Sequence, residues 1–312
     1  MEGKRKRRGL LTAVVVAVVG ALLLVHRWVP ELPGHPMSLL ETFLPWLGLV
    51  VPVGLVVAAV RRSVVPALVC LVVGAVWVGV FREPLGAPEP SGAYGLTVVQ
   101  HNVSDENTSP SRVARILLGP EPDVIALQEL TPSSLPAYRL ALDPTHPHRA
   151  TVGTVGLWSK HPLTDIARVD LKPTALTADW ERGLRAVVRS PHGDVTTYVA
   201  HLPSVRVRAT QGYATGWRDE SAGRLGRALA ADRSAAVLVL GDLNGTVDDR
   251  GLAPVLSEVR GNRDDFALSW PTALPLARID HVLARGSAEV GVTWTLADTG
   301  SDHLPVAARV RR

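Results

Sequence analysis

The chain has 312 residues, 46% hydrophobic and 20% charged, with a net charge of +4. Residues 1–94 carry nine Lys or Arg against five Asp or Glu, and residues 95–312 carry 24 of each sign, so the soluble part gives no indication of salt-driven binding to a polyanion. The only cysteine, Cys70, lies in an apolar run, which excludes an internal disulfide and a cysteine-based zinc site from residues 95–312.

Behind the basic cluster Lys4, Arg5, Lys6, Arg7 and Arg8, an apolar run extends from Leu10 to Val29. At roughly 20 residues it matches the length needed to cross the hydrocarbon core of a bilayer. Two further runs follow, from about Leu39 to Val60 and from Val64 to Phe81, with Glu41 at the edge of the second and Pro45 and Pro52 inside it as candidate kinks. No small-residue cleavage site follows the first run, so it reads as a span and not as a cleaved leader. Residues 1–81 are therefore expected to form a membrane anchor of three transmembrane helices, about 10–29, 39–60 and 64–81. The basic residues before the first span and the pair Arg61 and Arg62 are two crossings apart, which puts the N-terminus in the cytoplasm and the C-terminal domain outside it. Residues 82–95, rich in Pro and Gly, read as an extended linker.

From Leu96 onward short β-rich runs alternate with candidate helices. Strands are expected at 96–102, 123–129, 152–159, 184–189, 195–201, 236–242, 279–284 and 305–310, and helices at 111–118, 219–231 and within 251–259. The sequence Pro191-His192-Gly193-Asp194 between two strands reads as a hairpin turn. The pattern is that of an α+β or layered α/β domain, residues 96–312.

Polar side chains close these strands. Asn102 ends LTVVQHN, Glu129 ends DVIALQE, His201 ends VTTYVAH, and Asp242 and Asn244 end VLVLGDLN; farther on, RIDHVL carries Asp280 and SDHLP carries Asp302 and His303. Strand ends are where a rigid sheet presents side chains to a cleft. Carboxylates and an asparagine are oxygen ligands suited to Mg²⁺ or Mn²⁺, and histidines paired with aspartates move protons or stabilise charged oxygens. A phosphate ester repels an anionic nucleophile, so its hydrolysis needs charge neutralisation, a positioned water and help for the leaving oxygen, and this residue set can supply all three. The chain lacks G-x-S-x-G, H-E-x-x-H and P-loop motifs.

Other polar residues carry weaker readings. His146 and His148, spaced H-P-H in a Pro-rich stretch, read as a solvated loop and not as a metal site. His281 is expected to face away from Asp280 on its strand. Ser301 is not expected to be a nucleophile. Arg206 and Arg208, shortly after His201, are candidates for a substrate-facing basic pair, and Trp270 is a candidate for either the cleft or the core.

The ordered succession N, QE, AH, GDLN, RID and SDH over almost all of residues 96–312 resembles the endonuclease/exonuclease/phosphatase superfamily, which includes DNase I-like nucleases, inositol polyphosphate phosphatases and neutral sphingomyelinases. The resemblance implies a DNase I-like layered β-sandwich flanked by helices. It implies that Asn102 and Glu129 hold a divalent metal, Mg²⁺ or Mn²⁺, with Glu129 the principal ligand and Asp302 beside the site. Asp242 would orient or deprotonate the attacking water, Asn244 hold a phosphate oxygen, and His201 donate to the phosphate as charge builds. Asp280 would orient His303, and His303 would contact the scissile phosphate. The expected function is a membrane-anchored phosphoesterase acting outside the cytoplasm on nucleic acid, phospholipid or a small phosphate ester. A catalytically silent binding domain on the same anchor is the alternative, and no protein partner is legible.

Overall fold

The computed structural model describes residues 2–81, 94–262 and 266–312, which fall into two compact units, one within residues 1–89 and one within 90–312. The expected linker lies outside the described residues except for its last two positions.

The first unit is helical: α1 (Glu2–Val25), α2 (Pro36–Thr42), α3 (Val50–Arg61) and α4 (Val64–Phe81). Among the described residues three segments are long and apolar enough to cross a membrane, Gly9–Trp28, Leu44–Arg61 and Val64–Phe81. The run from Leu39 to Val60 is not one helix. It breaks at Phe43 between α2 and a 3₁₀ segment, Leu44–Leu49, that leads into α3. Pro45 explains the break, because it has no N–H to give the Glu41 carbonyl four residues back and its ring crowds that carbonyl, whereas Pro52 falls in the first turn of α3 where no donor is needed. Trp77 turns inward and donates to the Pro45 carbonyl at 2.7 Å. Glu41 is fully buried against His26 Nδ1 at 2.9 Å, so two ionisable groups at the ends of apolar runs satisfy each other.

The second unit is α+β, with two sheets packed face to face and helices on their outer faces. The first sheet has the order β12 (Glu289–Thr295), β13 (Val306–Arg311), β1 (Leu96–Asn102), β2 (Val124–Gln128), β4 (Val155–Ser159), β3 (His148–Val152). The second has the order β11 (Asp280–Gly286), β10 (Ala236–Asp242), β7 (Gly193–His201), β6 (Gly183–Ser190), β5 (Leu163–Arg168). Alternation along each strand makes both faces apolar in turn. Val98, Val124, Leu157, Val199, Leu238 and Val282 meet between the sheets. Their sequence neighbours face outward: Val99 and Ile125 against α5 (Pro110–Leu117) and α6 (Leu135–Leu142), and Val237 and Val239 against α7 (Gly216–Ala231) and α8 (Ala253–Leu256).

Several elements differ from the sequence reading. The stretch 152–159 is the second half of a hairpin, turned at Gly153 with φ of +52°, and not one strand. Helix α6 was not expected, since LPAYRLAL is short and follows a Pro- and Ser-rich segment. Strands β5 and β12 both carry register shifts that break the two-residue alternation by which strands are read. The remaining unread strands, β8 (Arg206–Arg208) and β9 (Gly212–Ala214), pair only with each other.

Candidate active site

β1 and β2 run parallel in one sheet and β7 and β10 run parallel in the other, so the C-terminal ends of all four deliver polar side chains to one edge of the sandwich. The side chains meet in a single bonded cluster. Asn102 Nδ2 donates to Glu129 Oε1 at 3.1 Å and to Asp242 Oδ2 at 3.0 Å, joining the two sheets through one amide. Glu129 adopts a left-handed backbone conformation, φ +61°, which turns its carboxylate out of the β2 line to accept the Asp105 N–H at 3.2 Å. Asn244 is also left-handed, φ +49°, and its N–H donates to Asp242 Oδ1 at 2.9 Å, closing a tight Asx turn. Its amide nitrogen spends one hydrogen on the Leu202 carbonyl at 2.9 Å and keeps a second for a ligand.

His303 Nδ1 lies 2.8 Å from Asp280 Oδ2, and its Nε2 faces Asp242 Oδ2 at 3.8 Å and Asp302 Oδ1 at 3.9 Å. Burial alone would lower the imidazole pKa, but Asp280, Asp242 and Asp302 overrule it and push it up to about 10. Asp280, buried as well, is held below the usual carboxylate range by His303 and by hydrogen bonds from Ser269 and Gln100. Asp242 goes the other way: burial raises it to about 7, with His303 and the Asn102 amide opposing.

His201 is fully buried, and burial together with Arg182 and His303 pushes its pKa well down, so the ring is neutral. Arg182 Nη1 stands 3.2 Å from His201 Nδ1 and 3.4 Å from its Nε2 and so does not choose between the tautomers; the carboxylates that face Nε2 favour the proton on that nitrogen. That Nε2–H points between Glu129 Oε1 and Asp242 Oδ2, each 3.7 Å away.

Six of the eight residues singled out by their motifs (Asn102, Glu129, His201, Asp242, Asp280 and His303) thus lie within or directly against one network. Asn244 is bonded to it through its backbone, and Asp302 stands at its solvent side, 65% exposed. The ligand atoms of Asp242, Asp280 and His303 also lie within 4.8 Å of one another, but Asp280 is saturated by His303 and Gln100. Three partners escaped the sequence reading. Gln100 is the polar residue on the core-facing side of an apolar strand, a signal of a buried partner; Arg182 and Ser269 lie outside the strand-end motifs.

His146 is fully buried between Thr145 and the Pro122 carbonyl, 2.9 Å from each, and so is not a solvated loop residue. His281 points away from Asp280 to the Gly245 carbonyl at 2.8 Å, as its strand position requires. Ser301 donates to the Asn102 carbonyl at 2.8 Å and accepts the His303 N–H at 3.1 Å, so it shapes the SDH turn. Trp270 is half-buried.

A model of the endonuclease/exonuclease/phosphatase family matches residues 99–303. Comparison with curated proteins finds no match. Among solved structures the chain is similar to a mutant beta toxin from Staphylococcus aureus with bound magnesium ions, at 15% identity and a TM-score of 0.53, over 69% of this chain and 99% of that one. It is similar to sphingomyelinase C from Streptomyces griseocarneus at 18% identity and a TM-score of 0.51, over 70% and 99%. A humanized D. rerio TDP2 gives 19% identity and a TM-score of 0.55, over 70% and 99%. At these identities the likeness is one of fold.

Proposed function

This chain belongs to the endonuclease/exonuclease/phosphatase family, and from that premise we propose that it is a divalent-metal-dependent phosphoesterase, anchored in the membrane by its N-terminal helices, that hydrolyses a phosphodiester or phosphomonoester outside the cytoplasm. The observation that carries the reading is the convergence of Glu129 and Asp242 on the single Asn102 amide beside the Asp280–His303 pair. Two carboxylates from different sheets sharing one donor form an oxygen-rich, incompletely neutralised pair that fits a hard cation such as Mg²⁺ or Mn²⁺. Glu129 and Asn102 would hold it, with Asp302 near the entrance. When bound, the cation withdraws charge from the phosphate oxygens.

The chain's own groups account for the proton movements. Asp242, raised toward neutrality by burial, orients the attacking water and accepts its proton. His201 donates its Nε2–H, and Asn244 its second amide hydrogen, to phosphate oxygens as charge builds on them. His303, kept protonated by Asp280, donates from Nε2 to the leaving oxygen. Arg182, close to both ring nitrogens of His201, adds positive charge beside the phosphate.

The test is turnover of bis-p-nitrophenyl phosphate and p-nitrophenyl phosphate by the full-length protein in detergent, with Mg²⁺, with Mn²⁺ and with EDTA. Metal-dependent release of nitrophenol that disappears in Asp242→Asn is the expected result. No turnover of either ester with either ion would replace this reading with a silent binding domain.

A further inference from the structure

The segment that follows His201 carries a feature that the chemistry above does not use. β8 and β9 pair only with each other, Arg206 opposite Ala214, Val207 opposite Tyr213 and Arg208 opposite Gly212, and so stand apart from both sheets. Both ends of this hairpin are tied to the same active-site residue. On the incoming side the Leu202 carbonyl accepts the Asn244 amide at 2.9 Å. On the outgoing side Arg218 donates to the Asn244 carbonyl at 3.1 Å, its guanidinium fixed by Asp249 at 2.8 Å and Asp219 at 2.6 Å. Arg206 is four positions after Leu202, at most about 14 Å of extended chain. Arg206 is opposite Ala214, next to the buried Thr215 that donates to Asp219. The hairpin therefore rises from the rim of the site.

Arg206, Val207 and Arg208 are all exposed. Alternation puts the two arginines on one face, about 7 Å apart, and Val207 on the other. Among the described residues neither guanidinium has a hydrogen bond or ion pair, whereas the exposed Arg149, Arg168 and Arg189 each hold a carboxylate. A lipid surface would require apolar and basic side chains on the same side of the arm. The separation of Val207 from the arginine pair favours a discrete anion instead.

We propose that the Arg206 and Arg208 face of this hairpin binds a second phosphate carried by the substrate next to the scissile one. The inference rests on the phosphoesterase reading and narrows it: the substrate is a polyanion such as a nucleotide strand or a phosphorylated headgroup, not a singly charged diester. An overall neutral domain is compatible with this, because the preference comes from two local charges and not from net charge.

Two chromogenic esters with the same leaving group separate the possibilities: thymidine 5′-(p-nitrophenyl phosphate) with and without a 3′-phosphate, assayed with the full-length protein in detergent and Mg²⁺. The ratio of kcat/KM values, bisphosphate over monophosphate, is expected to be about ten, to fall to near one in R206A/R208A, and to be largely kept in R206K/R208K. A ratio near one in the unmodified protein, or a ratio unchanged by R206A/R208A, would overturn the proposal. If neither thymidine ester is turned over, the phosphoesterase reading is decided by the two nitrophenyl esters named above, and the arm is judged by calorimetric binding of thymidine 3′,5′-bisphosphate against thymidine 5′-monophosphate. Tighter binding of the bisphosphate that R206A/R208A abolishes supports the arm, and equal binding overturns it. Competition by oligothymidylate against a short-chain phosphatidylinositol phosphate then tells which source supplies the second phosphate.

Discussion

His303 gives its Nδ1–H to Asp280 at 2.8 Å while Gln100 reaches the other Asp280 oxygen at 2.7 Å from the opposite sheet, so the imidazole is oriented by a carboxylate that is itself clamped across the sandwich. Because Asp280 raises the His303 pKa, removing its charge must lower that pKa and bring the high-pH limb of kcat to lower pH. Asp280→Asn is expected to reduce kcat by about a hundredfold with little change in KM. His303→Ala should cost at least as much, and the double variant little more than His303→Ala, as befits two residues acting as one unit. Additive losses, or a basic limb that stays in place in Asp280→Asn, would show that the two act separately.

Glu129→Gln keeps the size of the side chain and removes its charge. Turnover should then require about a hundredfold more Mg²⁺, with the unfolding midpoint of the protein in EDTA unchanged. An unaltered Mg²⁺ titration would remove Glu129 from the metal site.

Arg218 is a fully buried guanidinium on α7 that holds Asp249 and the Asn244 carbonyl. A side chain on Gly245 would run into it, which explains a glycine directly after Asn244. Arg218→Met removes the cation beside the buried Asp249 carboxylate and is expected to cost about 3 kcal/mol of stability in denaturant unfolding. Arg218→Met combined with Asp249→Leu should recover much of that loss; a double variant no better than the single would show that packing, and not the stranded charge, is responsible.

Asp232 closes the C-terminal end of α7. It is partly buried, which would raise its pKa, but hydrogen bonds from Ser234, Tyr198 and Arg185 outweigh burial and hold the carboxyl far below the usual range. A depressed folded-state pKa adds stability that is present above the unfolded value, near 3.9, and is lost as the pH falls below it. Asp232→Asn should therefore destabilise by about 2 kcal/mol at pH 7, with the gap to the unmodified protein closing between pH 4 and the acid limit. A gap independent of pH would contradict the charged role.

Orientation in the membrane has its own measurement. Leu140 is 82% exposed on the second unit, and the native Cys70 is buried. In intact cells stripped of any outer wall, Leu140→Cys should react with a membrane-impermeant maleimide. Labelling that appears only after lysis would place the unit in the cytoplasm.

The candidate site is legible where polar residues coincide with strand ends. Asn102, Glu129, His201 and Asp242 each close an apolar run, so chain order alone marked them, and the fold follows from the same runs. Arg182, Gln100 and Ser269 were not legible, because their partners come from other strands and no local pattern encodes the pairing. β5 and β12 were hidden by their bulges. The break at Phe43 was hidden too, since hydropathy stays high through Leu44 and Pro45 while the backbone changes course.

β13 lies between β12 and β1 in the first sheet, yet follows both in chain order, and the turn that carries Asp302 and His303 leads into it. An inner strand is thus the last to arrive. Until β13 has inserted, β1 is paired on one side only, with β2, and His303 has no fixed place opposite Asp280. The phosphoesterase activity proposed for this unit therefore cannot arise before β13 has taken its place between β12 and β1.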